Sequence, residues 1–309
     1  MRYWTRSIRL MSIGGRDDEI PTHPAHPRLD GGVLGDKTQV YEGGRKMNKQ
    51  GKNAIEWADF TWNPVTGCLH GCEYCYAEKI ARRFGGGKND KAIHYLGEPM
   101  YKQKKNGLAA YGSDMMIDPY PCGFAPTFHK YRLDEPQEVK KSQRIFVVSM
   151  GDLFGDWVPG DWIEEVFRAC EDAPQHKYLF LTKNPKGLRY PFHQYFNNKN
   201  WWIGTSVTRI SELKRVQYLI DETTERTNRF LSIEPLLGDL GYMSELVRYY
   251  KWVIIGQQTN PDKLPKGEWV QLIIDQCRVA NVPVFVKSPL YEKFPIQEWP
   301  EGLKKESEG

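Results

Sequence analysis

Short, continuous apolar runs alternate with amphipathic stretches over most of the chain. "RIFVVSM" (144–150), "KYLFLT" (177–182), "WWIGTSV" (201–207), "RFLSIE" (229–234), "KWVIIG" (251–256) and "VPVFVK" (282–287) are rich in β-branched and aromatic residues. Such runs are the signature of parallel strands buried on both faces. "EWADFTWNPVTG" (56–67) supplies a first strand and a turn at Pro64–Gly67. Between the runs the period changes to that of a helix. In "DWIEEVFRACEDAP" (161–174), Ile163, Val166, Phe167 and Cys170 share one face, with Asp161 and Glu164 as an expected capping pair. Leu213, Val216 and Ile220 share a face behind an expected Ser211 cap, as do Val270, Ile273, Ile274 and Cys277 further on. Ala77, Ile80, Ala81 and Phe84 form another apolar face, stopped by Gly85, Gly86 and Gly87. This alternation predicts an α/β fold, a partial or complete (β/α) TIM-like barrel. An open doubly wound sheet is the competitor, but neither G-x-G-x-x-G nor a phosphate-binding P-loop is present to favour it.

Three segments break the pattern. Residues 1–46 carry many Gly, Pro and charges without a helix or strand period, and read as a disordered leader ahead of Met47, an expected physiological start. Residues 47–298 read as one domain, with 85–142 an irregular insertion long enough to be a surface excursion or a substrate-facing lid. Residues 299–309 read as a charged tail.

The 309 residues are 40% hydrophobic and 13% aromatic, enough for a sizeable core. Mean hydropathy is −0.62, and no apolar run is long enough to cross a bilayer. With no secretory signal and six cysteines, three of them clustered, the expected home is the reducing cytoplasm rather than an oxidising compartment. Net charge is +4, but residues 1–46 hold eight basic and six acidic side chains, leaving a surplus of only two for the rest. That is a weak electrostatic case for nucleic acid.

Cys68, Cys72 and Cys75 stand in the pattern C-x3-C-x2-C within "GCLHGCEYCYAEK" (67–79). Thiolates this close suit zinc or an iron–sulfur cluster. Zinc needs a fourth ligand, for which His70 and Cys122 are candidates; Cys170 and Cys277 lie on apolar helix faces, where buried thiols are commonplace. A [4Fe–4S] cluster on three cysteines instead leaves one iron open to a small molecule. In a β/α barrel this loop would lie at the C-terminal end of the first strand, where such folds keep their chemistry. Polar residues also gather at the other strand ends: Ser149-Met150-Gly151-Asp152, Thr182-Lys183, Thr205-Ser206, Ser232 and Glu234, Gly256-Gln257-Gln258, and Lys287. Capping and structural ion pairing are the alternative uses of each. His129, inside the insertion, reads as a surface or a satisfied structural histidine.

The triplet, with Tyr74 before its last cysteine, resembles the radical S-adenosylmethionine superfamily. "IEWADFTWNPVTGC", "CYAE", "RIFVVSMGDLF", "LTKNP", "SIEPLLG" and "WVIIG" resemble more closely the phage Gp37/Gp68-like proteins, a domain of unknown function (DUF5131) with a three-cysteine motif. The resemblance implies a radical enzyme that holds a [4Fe–4S] cluster on Cys68, Cys72 and Cys75 and binds S-adenosyl-L-methionine at the open iron. It implies that Tyr74 packs beside the adenine. Met150, Gly151 and Asp152 would receive the methionyl amine, Asp152 standing where superfamily members often have a glutamate. Lys183 would meet the methionyl carboxylate, and Ser206 and Glu234 the ribose or substrate. Gln257 stands where close relatives carry Gly-Gly-Glu-Ser. An electron donor is the implied partner, the substrate is open with nucleic acid or a nucleotide among the options, and no membrane is involved. The other readings are a zinc-binding module and a phage-related interaction protein with a structural or redox-sensing cluster.

Overall fold

The computed structural model describes residues 47–51, 55–85, 91–103, 115–188, 191–259 and 261–305. The expected leader, Gly86 and Gly87, much of the insertion's middle and the last four residues lie outside the described residues.

The backbone of the fold is a mixed α/β arrangement around one large, mostly parallel sheet. Its strands are β1 (Phe60–Trp62), β2 (Arg144–Val147), β3 (Lys177–Thr182), β4 (Trp201–Ser206), β5 (Asn228–Ile233), β6 (Trp252–Ile255) and β7 (Val284–Val286). They lie side by side in chain order, each parallel to the next, with the short Asn48–Lys49 strand antiparallel on the outer edge of β1. A doubly wound sheet reverses its order at a switch point; this one does not. Each expected strand is present, with ends shifted or trimmed by up to three residues, the most at 144–150, where the strand stops at Val147.

The connecting helices are α1 (Tyr76–Phe84), α2 (Gly160–Glu171), α3 (Lys214–Asp221), α4 (Ser244–Val247) and α5 (Gly267–Val279). Ile163, Val166, Phe167 and Cys170 of α2, and Val270, Ile273, Ile274 and Cys277 of α5, are buried against the sheet as their spacing requires. The helix starts differ from expectation. Pro159 precedes α2 with no side-chain cap, so Asp161 falls inside the first turn, where a carboxylate still favours the helix dipole. Ser211 belongs to a separate turn (Ile210–Glu212), α3 starts after Leu213 with no side-chain cap, and Glu212 instead accepts from Thr208 N (2.7 Å). On α1 only Ala77 and Ala81 are buried, whereas Ile80 and Phe84 are exposed. The small alanines let α1 lie close on the sheet and leave its larger apolar side chains outside.

Alternation along the strands divides the core in two. Ile145, Val147, Phe180, Trp201, Ile203, Leu231 and Val253 face the helices. Phe146, Leu179, Trp202, Phe230, Trp252 and Phe285 face the other way and join Trp57 in a second cluster. Leu303, and Trp299 packed against it, enter that cluster from the stretch read as a charged tail. The second face grades from large to small. Its aromatic residues sit toward the strand N-termini; toward the C-termini come Gly204, Ser206, Ser232 and Gly256. A Cβ on Gly204 would fall 2.6 Å from the Phe230 ring, so glycine there is what lets that ring lie across β4.

The insertion is partly core. In place of the turn expected at Pro64–Gly67, Val65–Thr66 forms a strand antiparallel to Thr127–His129, which also pairs with His94–Leu96. Phe128 is fully buried and stacks on Trp162 of α2 with ring centres 5.2 Å apart. His129 is a satisfied structural histidine, bonded to Thr66 Oγ1 (2.9 Å) and Tyr131 (3.2 Å). Burial, with Arg132 nearby, holds its pKa well below the usual range, so it stays neutral.

Candidate metal centre

The cysteine loop is fastened to the exit of β2 by contacts that neither segment could make alone. Val148 takes a positive φ of 58°, a costly conformation for a β-branched residue, and turns the chain directly after β2. Asn63, just past β1, accepts from Met150 N (2.9 Å) and Ser149 Oγ (3.2 Å) through Oδ1. Gly67 N donates to Met150 O at 2.8 Å. Gly67 has φ +86°, and a Cβ there would lie 2.1 Å from Ala125 O; one on Gly151 would lie 2.8 Å from Gly67 O. Two backbones therefore pass at glycine distance immediately before Cys68. Beyond it, His70 Nε2 meets Asp152 Oδ2 at 2.8 Å, its ring against the edge of Trp157. Tyr76 donates its hydroxyl to Ser149 O at 2.6 Å. Cys75 is the N-cap of α1, its Sγ accepting from Glu78 N at 3.3 Å.

Asp152 is the hub of this fastening. It is buried, and besides His70 it accepts from Lys183 N (2.9 Å) and Phe154 N (3.1 Å). Burial opposes its charge, but His70 and the backbone donors outweigh burial and hold its carboxyl below the ordinary range. The carboxylate expected to meet a ligand amine is thus engaged by the chain itself, and the Met150 carbonyl is taken by Gly67. The three thiols interact as a group. Burial first, then the Asp152 charge and the other two cysteines, pushes Cys68 up to about 12, and burial also raises Cys75. As free thiols Cys68 and Cys75 are protonated at neutral pH, so metal binding there must release protons. Lys183 carries the compensating charge: burial works against its ammonium, yet Tyr74, Cys72, Asp152 and Cys68 around it raise its pKa. The ammonium stands 5.5 Å from the Tyr74 ring centre. Lys183, Tyr74, Cys72 and His70, with Thr208, Arg209, Glu212 and Arg215, border a cleft of about 230 Å³.

Among the described residues, no group of three or more His, Cys, Asp or Glu is gathered tightly enough to hold a single metal ion. His70 is committed to Asp152, Cys122 stands half-buried in the insertion, and Cys170 and Cys277 are buried on helix faces with their thiols raised by burial. Three soft sulfur donors on one loop suit zinc with a further ligand or an iron–sulfur cluster, and the adjacent Lys183 ammonium offsets thiolate charge in either case.

The remaining expected site residues divide. Glu234, just past β5, forms an ion pair with Lys287 past β7, and its side chain lies flat over Gly256, where a Cβ would be 3.0 Å from Glu234 Cγ. The charge of Glu234 also bears on the Tyr76 hydroxyl, whose pKa burial raises, so the cysteine loop and the β5 end share one neighbourhood. Ser206 is buried at the end of β4, and its carbonyl accepts from Arg215 Nη1 (3.2 Å). Gln257 is buried; its Nε2 donates to Asp262, while its Oε1 has no partner among the described residues. Two contributors were not singled out from sequence, Asn63 and Tyr76, and His70 was weighed only as a fourth zinc ligand. Tyr76 carried the one available signal, an aromatic directly after the third cysteine.

The fold and site define an α/β protein that presents a three-thiol loop at the C-terminal ends of a sequentially ordered parallel sheet. The chain belongs to the family described as protein of unknown function (DUF5131), which matches residues 52–293. No curated protein matches it by sequence. Among solved structures it is similar to spore photoproduct lyase complexed with dinucleoside spore photoproduct, at 9% identity and a TM-score of 0.47, over 80% of this chain and 81% of that one. It is also similar to a spore photoproduct lyase variant with bound AdoMet and dinucleoside spore photoproduct, at 10% identity and a TM-score of 0.43, over 76% and 64%. No helix among the described residues is long and apolar enough to cross a membrane.

Proposed function

We propose that this chain is an iron–sulfur enzyme of the radical S-adenosylmethionine type, built on a partial (β/α) barrel whose interior is the sheet face opposite the helices. The observation that carries the reading is the loop itself: three thiols between β1 and α1, fixed onto the β2 exit by close glycine backbones, with the Lys183 ammonium beside them. Cys68, Cys72 and Cys75 would hold the cluster. A [4Fe–4S] cluster held by these thiolates would supply the electron for reductive cleavage of S-adenosylmethionine.

The chain's own residues bind, orient and shield. Lys183 offsets the negative charge of the thiolates and faces Tyr74, against which an adenine can pack. Asp152 acts through His70 and the Lys183 backbone as a positioning residue. Glu234, Lys287, Ser206 and Gln257 offer charged and hydrogen-bonding groups at neighbouring strand ends for a zwitterionic, ribose-bearing ligand, and Met150 and Gly151 shape the wall beneath the loop. The aromatic cluster toward the strand N-termini closes the interior and excludes water. An electron donor completes the system, and a nucleotide or nucleic acid is the substrate class retained.

Anaerobic reconstitution with iron and sulfide tests the cluster. The wild type and Cys170→Ala are expected to bind about four irons per chain with broad absorption near ~400 nm, and Cys72→Ala to lose both. Stoichiometric zinc with no iron uptake, or equal iron in Cys72→Ala, would overturn the reading.

A further inference from the structure

Two charged pairs stand at the C-terminal ends of the sheet, and one of them is already spent. Asp152 and Lys183 lie at the exits of β2 and β3. The Asp152 side chain is 5% exposed and is met by His70, Lys183 N and Phe154 N. The Lys183 ammonium has Tyr74, Asp152 and the thiols around it. Both charges serve the cysteine loop.

Glu234 and Lys287, past β5 and β7, are placed differently. Gly256 N donates to Ile233 O and Lys287 N to Ile255 O, so the ladder runs one residue beyond these strands. Counting in twos from Phe230, Trp252 and Phe285 of the inner cluster then puts Glu234, Gly256 and Lys287 on that same face. The Glu234 side chain is 27% exposed and that of Lys287 13%, far more open than Asp152. Glu234 bonds to Lys287 and accepts from no backbone donor among the described residues. Lys287 has no second carboxylate within ion-pair distance among them, the nearby Glu56 being held by Ser288 N at 2.9 Å. Only Gly256 separates the two on the sheet, so no side chain stands between them and the mouth. The Glu234 charge also reaches the hydroxyl of Tyr76, the residue after Cys75, which puts the pair beside the thiol loop.

Resting on the function proposed above, we infer that the Glu234–Lys287 pair, rather than the β2 exit, reads the amino-acid end of S-adenosylmethionine, Glu234 taking the ammonium and Lys287 the carboxylate. An α-amino acid is itself a zwitterion. Exchanging the internal ion pair for two charge-assisted contacts with the ligand leaves no charge uncompensated. Asp152 keeps one task, fastening the loop.

Calorimetric titration of the reconstituted full chain, kept anaerobic and with iron counted in the same samples, reads the assignment. The probe is S-adenosylhomocysteine, which lacks the sulfonium; its analogues without the α-amino group or without the carboxylate each remove one contact. Glu234→Gln should weaken S-adenosylhomocysteine about tenfold, the effect of one charge-assisted contact, and should not weaken the deaminated analogue. Lys287→Met should repeat that pattern with the decarboxylated analogue, a second arm that stands if one variant misfolds. Asp152→Asn should change S-adenosylhomocysteine and the deaminated analogue by the same factor. Equal losses of both ligands in Glu234→Gln, or an Asp152→Asn loss that vanishes with the deaminated analogue, overturn the inference. Iron-loaded chain that binds none of the three ligands overturns it too and leaves the cluster standing. A chain that takes up no iron overturns the underlying reading, and this inference with it.

Discussion

At the scale of single residues, the chemistry-bearing side chains are distributed by two different rules. The cysteine triplet is local, so its spacing alone made it visible. Its support is not local: His70 meets Asp152 across 82 positions and Asn63 meets Met150 across 87. Those pairings exist only because β1 and β2 lie side by side, and nothing in either segment announces the other. Gly67 is the most exacting position. Gly67→Ala would force a Cβ into the Ala125 carbonyl at a φ that L-residues avoid. It is expected to displace the loop and lower iron uptake in the reconstitution assay, whereas Gly51→Ala, where the space is open, should leave it unchanged; equal uptake in both would show that the close approach is dispensable. Asp59 gives a pH handle away from the site. Burial opposes its ionisation, but hydrogen bonds and charge from Arg144 win and bring its pKa from 3.8 to about 2. A lowered carboxylate pKa stabilises the fold above the unfolded value and loses that contribution as pH falls through the folded one. Denaturant midpoints should therefore drop between about pH 4 and pH 2, and Asp59→Asn should flatten that part of the curve. Identical slopes for the two proteins would remove Asp59 from the acid response.

At the scale of elements, strands buried on both faces could be read from their composition because both alternating sets are apolar, in two separate clusters. Helix starts were less legible. A cap is a three-dimensional arrangement, and at α2 Pro159 takes the cap position with no side-chain bond while Asp161 falls inside the first turn. The insertion was least legible, because its strands are only three residues long and the buried one, Thr127–His129, docks on Val65–Thr66 far back in the chain. Phe128 turns that strand into core. Phe128→Ala is expected to cost about 3–5 kcal/mol in chemical denaturation, the usual range for a large buried aromatic. A loss below about 1 kcal/mol would return the segment to a surface excursion.

At the scale of the whole molecule, one sheet face changes character from end to end. Toward the strand N-termini it is closed by Trp57, Phe146, Trp202, Phe230, Trp252 and Phe285. Toward the C-termini it narrows to serine and glycine and carries the Glu234–Lys287 pair, facing the side from which the cysteine loop enters. On the proposed function, that gradient would separate a stabilising pole from a reactive one, as in β/α barrels. Gly256→Val would fill the space over which Glu234 lies. It is expected to keep the cluster's iron while losing cofactor cleavage, which separates the walls of the interior from the loop that holds the metal.

The central claim is that the three-thiol loop serves one-electron cleavage of S-adenosylmethionine. The direct measurement is the anaerobic reaction of the reconstituted full chain with reductant and S-adenosylmethionine, with 5′-deoxyadenosine and methionine quantified together by mass spectrometry. The account predicts that both products form in equal amounts, only with reductant, and not in Cys72→Ala. A chain that holds its iron fully yet never yields 5′-deoxyadenosine above the Cys72→Ala background would contradict it.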